Sequence, residues 1–204
     1  MTTWVERPEG GRDRGPRGIA RAWAEVLVHP RRFFRNGVAP GDQAPGLVFG
    51  VLVATAYTVA RVLTEPGPVT LVTRTPGGER FVQTVPDPLV VLAVVVVVAP
   101  AALHLVSALQ TVLLMLSVPD RGGVSETVQV VAYATAPCAL AGLPIPGVRA
   151  VCAGYGAVLL VVGLREVHGA SLPRAALAAT VPAALVFGAG FGGSVAVATL
   201  LGAR

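Results

Sequence analysis

Lysine is absent from this 204-residue chain: all 16 basic residues are arginine. Charge of either sign is scarce at 13%, against about 25% in an ordinary soluble domain. A soluble fold needs polar side chains to cover its surface, and here 53% of residues are hydrophobic and lie in long blocks. Composition thus argues against a soluble globular class and for a bundle in lipid. The two cysteines, Cys138 and Cys152, form neither a disulfide framework nor a zinc pattern. Aromatics at 5% are too few for the stacking platforms of nucleic-acid binders. No phosphate loop, nucleophile motif or zinc-protease motif occurs. The reading is therefore non-enzymatic, with no catalytic residue, no cofactor, no metal and no nucleic-acid partner expected.

What the chain does have is order along its length. Residues 1–17, rich in Arg, Glu, Gly and Pro, have almost nothing to bury and read as a disordered tail. Residues 18–36 read as an amphipathic interfacial segment. Ile19, Trp23, Val26 and Leu27 approximate helical spacing, and Pro30 disfavours helix just before it. Trp23, Arg31, Arg32, Phe33, Phe34 and Arg35 are expected at the lipid interface, with rings among the headgroups and guanidinium groups on phosphates.

An all-α transmembrane domain over 44–201 follows, with five helices predicted at about 44–63, 89–118, 127–143, 148–164 and 175–201. Each approaches the roughly 20 apolar residues that cross a bilayer. The second is long enough to tilt, and Pro100 is placed to kink it. The third and fourth are short, form a hairpin about Pro144–Gly147, and either span or re-enter. Cys138 and Cys152 are equidistant from Ile145, so an antiparallel hairpin places them at one depth. Between helices one and two, Val69–Thr73 and Phe81–Val85 flank Pro76-Gly77-Gly78-Glu79, which predicts a small extracytoplasmic β-hairpin. Half of the arginines precede the first span, which places the N-terminus in the cytoplasm and, after five spans, the C-terminus outside. A multi-pass protein of the cell membrane is expected.

Two polar groups stand out. His104, Ser107 and Thr111 form an i, i+3, i+7 stripe in the second span, a possible intramembrane site; histidine bonded to a neighbouring helix is the blander reading. Arg121, Arg165, Glu166 and His168 mark a possible cytoplasmic face. Glu166 and His168 are two metal-ligand types, with Asp120 or Glu126 on the other inner loop as candidates to complete a set, but a charge cluster closing the helix end accounts for them better. Gly46-x-x-x-Gly50 and Gly188-x-x-x-Gly192 allow close helix approach, more often within a bundle than between chains.

The second half resembles the Yip-domain family of polytopic membrane proteins. The likeness rests on Gly122-Gly123-Val124-Ser125-Glu126-Thr127, Val130-Val131-Ala132-Tyr133-Ala134-Thr135-Ala136-Pro137, Ile145-Pro146-Gly147 and Leu164-Arg165-Glu166-Val167-His168-Gly169. His29-Pro30 with Phe33-Phe34 extends it upstream. The resemblance implies a five-helix domain with a cytoplasmic N-terminus. Eukaryotic relatives bind Rab-type GTPases and act in membrane traffic and shaping; the short N-terminal region and prokaryotic-looking composition here argue against a Rab partner. The expected function is a membrane-organising or partner-recruiting scaffold, with membrane lipids, a protein partner on the cytoplasmic face and a homo-oligomer as candidate partners. A small-solute or ion permease is the alternative.

Overall fold

A computed structural model describes residues 15–65, 69–74, 80–119 and 121–203. The first fourteen positions of the expected tail, Asp120 and the turn at Pro76–Glu79 lie outside the described residues. The architecture is mostly helical. Two short helices open it: α1 (Gly15–Val28) and α2 (Pro30–Gly37). Helix α1 starts within the expected tail, with Pro16 just inside its first turn, where a missing N–H is harmless. It buries Gly18, Ala22 and Val26 at four-residue steps, the spacing of one helical face. Pro30 opens α2 in the same way.

Helix α3 (Ala44–Thr64) is the first long apolar helix. Strands β1 (Val69–Arg74) and β2 (Arg80–Val85) then pair antiparallel, in register from Val69 opposite Val85 to Arg74 opposite Arg80. Helices α4 (Asp87–Ala93) and α5 (Ala99–Ser117) are joined through a π-helical turn, Val94–Val98, into one rod of 31 residues. Pro100 has no N–H to offer the preceding turn, and the irregularity expected at this proline is taken up in the π turn ahead of it.

The segment expected as a third span, 127–143, is not one regular helix. Helix α6 (Val124–Ala134) gives way to a 3-10 turn, Ala136–Leu140. Pro137 cannot continue the ladder, and Thr135 N–H turns to Ala132 O at 3.1 Å and Cys138 N–H to Thr135 O at 2.8 Å. Every residue from Thr127 to Ala134 is buried, because α3, α5 and α7 (Pro146–His168) surround it. Beside α6, α3 runs in the same direction. A Cβ on Gly46 would lie 2.7 Å from Gln129 Cα, and one on Gly50 would lie 3.2 Å from Ala132 Cβ. Further along, Gly142 sits against Ala60 and the Tyr57 carbonyl. The chain from 124 to 142 therefore travels from one end of the bundle to the other. Lipid tails give apolar side chains no hydrophobic incentive to associate, so close backbone approach of this kind supplies dispersion contact instead.

Helix α7 returns from that far end and stops at Gly169, which takes the left-handed conformation (φ 64°) that costs glycine nothing. Cys138 Sγ lies 3.8 Å from the Cys152 carbonyl oxygen, so the two cysteines do share a depth. The predicted fifth span, 175–201, is divided. Helix α8 (Leu172–Ala183) continues as a π-helical segment, Ala184–Gly190, and Gly192 (φ 69°) then redirects the chain into α9 (Gly193–Leu200). Gly188 and Gly192 therefore do not form a helix-packing pair: Gly188 has only Ser194 Cβ near it, at 4.0 Å, and Gly192 makes the turn. Among the described residues, four helical stretches are long and apolar enough to cross a membrane: Ala44–Thr64, Asp87–Ser117, Pro146–His168 and Leu172–Gly190.

Candidate functional site

One end of the bundle is cationic. Helix α2 lies across it, with Arg31, Arg32 and Arg35 exposed. Arg35 bonds Glu166 at 2.6 Å, tying α2 to the last turn of α7, and Arg32 pairs with Glu25 of α1. Arg165 and Arg174 are exposed nearby in sequence on α7 and α8, and Arg121 is half-buried in the turn between α5 and α6. Glu166 is mostly enclosed while Arg35 is open to the surroundings, so the acid is used internally and the guanidinium groups form the outer layer.

The aromatic residues of the N-terminal segment go the other way. Phe33 and Phe34, expected among lipid headgroups, are 2% and 1% exposed. Phe33 meets the Tyr133 ring edge-on at 4.8 Å, and Phe34 fills the space left by Gly163 on α7. Trp23 packs on Phe49 at 5.1 Å, and its indole N–H donates to Ala136 O at 3.0 Å. The reason is geometric: α2 already buries Gly37 against Phe33 and has bundle on one side, so its rings reach protein before lipid. Of the six interface residues expected, the three arginines face outward and the three aromatics face inward.

The polar anchors of this end were missed in the sequence. Gln129 is fully buried; its Oε1 accepts the Ala39 N–H at 3.0 Å and its Nε2 donates to Ala39 O at 2.7 Å. One side chain thus satisfies both main-chain polar groups of Ala39, in the link between α2 and α3. Tyr155 on α7 donates its hydroxyl hydrogen to Leu27 O at the end of α1, where the helix has run out of its own donors. A signal was present: glutamine within an apolar run must be bonded if buried.

The His104 stripe does not hold together. His104 is exposed, and its Nδ1 bonds Pro100 O of its own helix at 2.8 Å. Ser107 and Thr111 are buried, and Thr111 donates to Ser107 O at 2.7 Å. His104 alone leaves the buried face of α5, which is Ala99, Leu103, Ser107, Gln110, Thr111 and Leu114. Gln110, off the expected stripe, reaches Ala178 O on α8 at 3.0 Å. That carbonyl is the one deprived of its i+4 donor by Pro182. Glu166 and His168 also part company: Glu166 faces Arg35, whereas His168 is buried with Nε2 3.4 Å from Thr127 Oγ1. Among the described residues no cluster of three or more His, Cys, Asp or Glu is placed to hold a metal ion.

Long apolar helices around a buried, glycine-packed centre mark a membrane protein. The family model of the Yip1 domain matches residues 24–193, from within α1 to the start of α9, and the chain belongs to that family. No curated protein and no solved structure matches the chain.

Proposed function

We propose that the protein is a non-enzymatic membrane-organising scaffold of the cell membrane. Its chain crosses the bilayer five times, with 124–142 as the third crossing, an N-terminus in the cytoplasm and a C-terminus outside. The cationic end then faces the cytoplasm and gathers anionic lipid or a protein partner. The observation that carries this reading is the two-sidedness of α2. Its rings and the Gln129 clamp fix the helix to the bundle, while Arg31 and Arg32 are held exposed at the end surface. Guanidinium groups held near an anionic leaflet gain about 1 kcal/mol each. The β-hairpin is extracytoplasmic on this orientation. The permease alternative loses its main support, because His104 faces away from the bundle interior.

The test is reconstitution of the full chain into phosphatidylcholine vesicles with labelled phosphatidylglycerol. Energy transfer from labelled protein should report enrichment of the anionic lipid. Changing Arg31, Arg32 and Arg165 to Gln should lower that enrichment roughly tenfold or more at low salt, with the gap closing as salt screens the charges. Equal enrichment in both proteins contradicts the scaffold reading, and solute flux above protein-free vesicles favours the permease.

A further inference from the structure

A cavity of about 240 Å³ lies between α3, the α4–α5 rod and the π-helical end of α8. Its floor is Gly50, Leu103 and Thr135, all buried, and its mouth is Val98 and Leu185, both exposed. Both π-helical segments border it, Val94–Val98 on one side and Ala184–Gly190 on the other. A π turn widens the backbone and recurs at functional sites; two converging on one space hold it open. Of the three lining hydroxyls, that of Tyr57 lies beside Arg61 and those of the two threonines already have partners. Thr58 donates to Ala54 O at 2.8 Å and Thr135 to Ala132 O at 2.6 Å. The walls therefore offer a polar solute little to bond. An apolar space of about 150 Å³ stays dry and takes up benzene, so this larger one suits hydrocarbon.

The cavity opens sideways between membrane-length helices. One turn beyond lining residue Tyr57 stands Arg61, and Gly192 brings the Tyr57 hydroxyl and Arg149 together, at 3.5 and 3.4 Å from its Cβ position. Glu65 pairs with both arginines, leaving one net positive charge in that trio at the rim. We propose that this cavity binds one acyl chain of an anionic phospholipid from the leaflet opposite the α2 end, with its phosphate beside Arg61. The site is separate from the cationic end and stands whether or not that end recruits anything.

Photolabelling of the full chain in vesicles tests it. The probes are phosphatidylglycerol and phosphatidylcholine, each with a diazirine near the end of one acyl chain, and adducts are mapped by peptide mass spectrometry. Leu103 and Thr135 are only 7% and 2% exposed, whereas Leu105 on the same helix is 72% exposed and samples bulk lipid. Adducts are expected on Leu103 and Thr135 as well as Leu105. Ala54→Phe places a ring in the space of several methylenes and should lower floor labelling about tenfold, with Leu105 unchanged. Ala102→Phe at the mouth should do the same and guards against a folding defect in the first variant. The phosphatidylglycerol probe should label the floor about fivefold more than phosphatidylcholine, a preference that Arg61→Gln removes. Floor residues left unlabelled while Leu105 is labelled, floor labelling unaffected by either filling variant, or no headgroup preference overturns the proposal.

Discussion

Polar side chains inside this protein act on backbone groups that the sequence itself leaves without partners. Pro182 strips the donor from Ala178 O, and Gln110 replaces it. The link after α2 leaves Ala39 outside any helix, and Gln129 bonds both its N–H and its C=O. Interhelical hydrogen bonds in membranes average only about 0.6 kcal/mol. Removing Gln129 is a different case, because two buried peptide groups lose their partner at once. Each such orphan costs about 1–3 kcal/mol, so Gln129→Ala should destabilise by about 2–5 kcal/mol. Thermal unfolding of the purified chain in detergent measures this. A loss no larger than that of Thr55→Ala, which removes a bond within a single helix, would contradict the clamp. Pro182 marks a position where a helix carbonyl loses its donor, but nothing local marks which distant glutamine reaches it. The pairing of Gln110 with Ala178 spans 68 positions, and no local spacing encodes it.

At the scale of elements, α1 was legible as a helix ending near Pro30, whereas the segment after it showed only as interfacial and not as the helix α2. Their burial was misjudged. A run of adjacent arginine and phenylalanine residues has the same pattern whether the rings enter lipid or protein, and only the glycines opposite decide. Gly163, which admits Phe34, sits 129 positions away from it. Docking of this pair also relies on Trp23 to Ala136 O and Tyr155 to Leu27 O. Each bond contributes about 1 kcal/mol. Replacing both Trp23 and Tyr155 by Phe keeps one aromatic ring at each position and removes the two donors. Hydrogen exchange of the α1 and α2 amides should then accelerate about thirtyfold, while α7 amides stay unchanged. Equal acceleration along α7 would mean global destabilisation and no local role. The fifth predicted span shows the converse limit. Apolarity runs unbroken to Leu201, but Gly192 takes a left-handed turn, and a hydropathy window is blind to one dihedral angle.

For the whole molecule the open quantity is the number of crossings, and it turns on 124–142. Composition marked this stretch as apolar, yet its helix is only 11 residues long before the 3-10 turn. Length alone therefore suggests re-entry. The neighbours suggest otherwise: Gly46 near the start of α3 faces Gln129, and Ala60 near its end faces Gly142. A segment that keeps pace with a membrane-length helix over that distance covers the same length along the bundle, using the longer rise of a 3-10 turn to make up for few residues. Loop 141–145 then emerges on the side opposite α2, where Arg149 donates to Ala141 O and Leu143 O at 2.8 and 3.3 Å. Single cysteines decide the matter. Gly147 has open space at its Cβ position, so Gly147→Cys introduces no clash, and Asn36→Cys on exposed α2 reports the other end. The native thiols at Cys138 and Cys152 are buried and serve as a silent background. A membrane-impermeant maleimide applied to intact cells should label Gly147→Cys, whereas Asn36→Cys should react only after the membrane is opened. Labelling of both from the same side would show that 124–142 turns back within the bilayer, and the chain would then cross three times with its hairpin inserted from the cytoplasm.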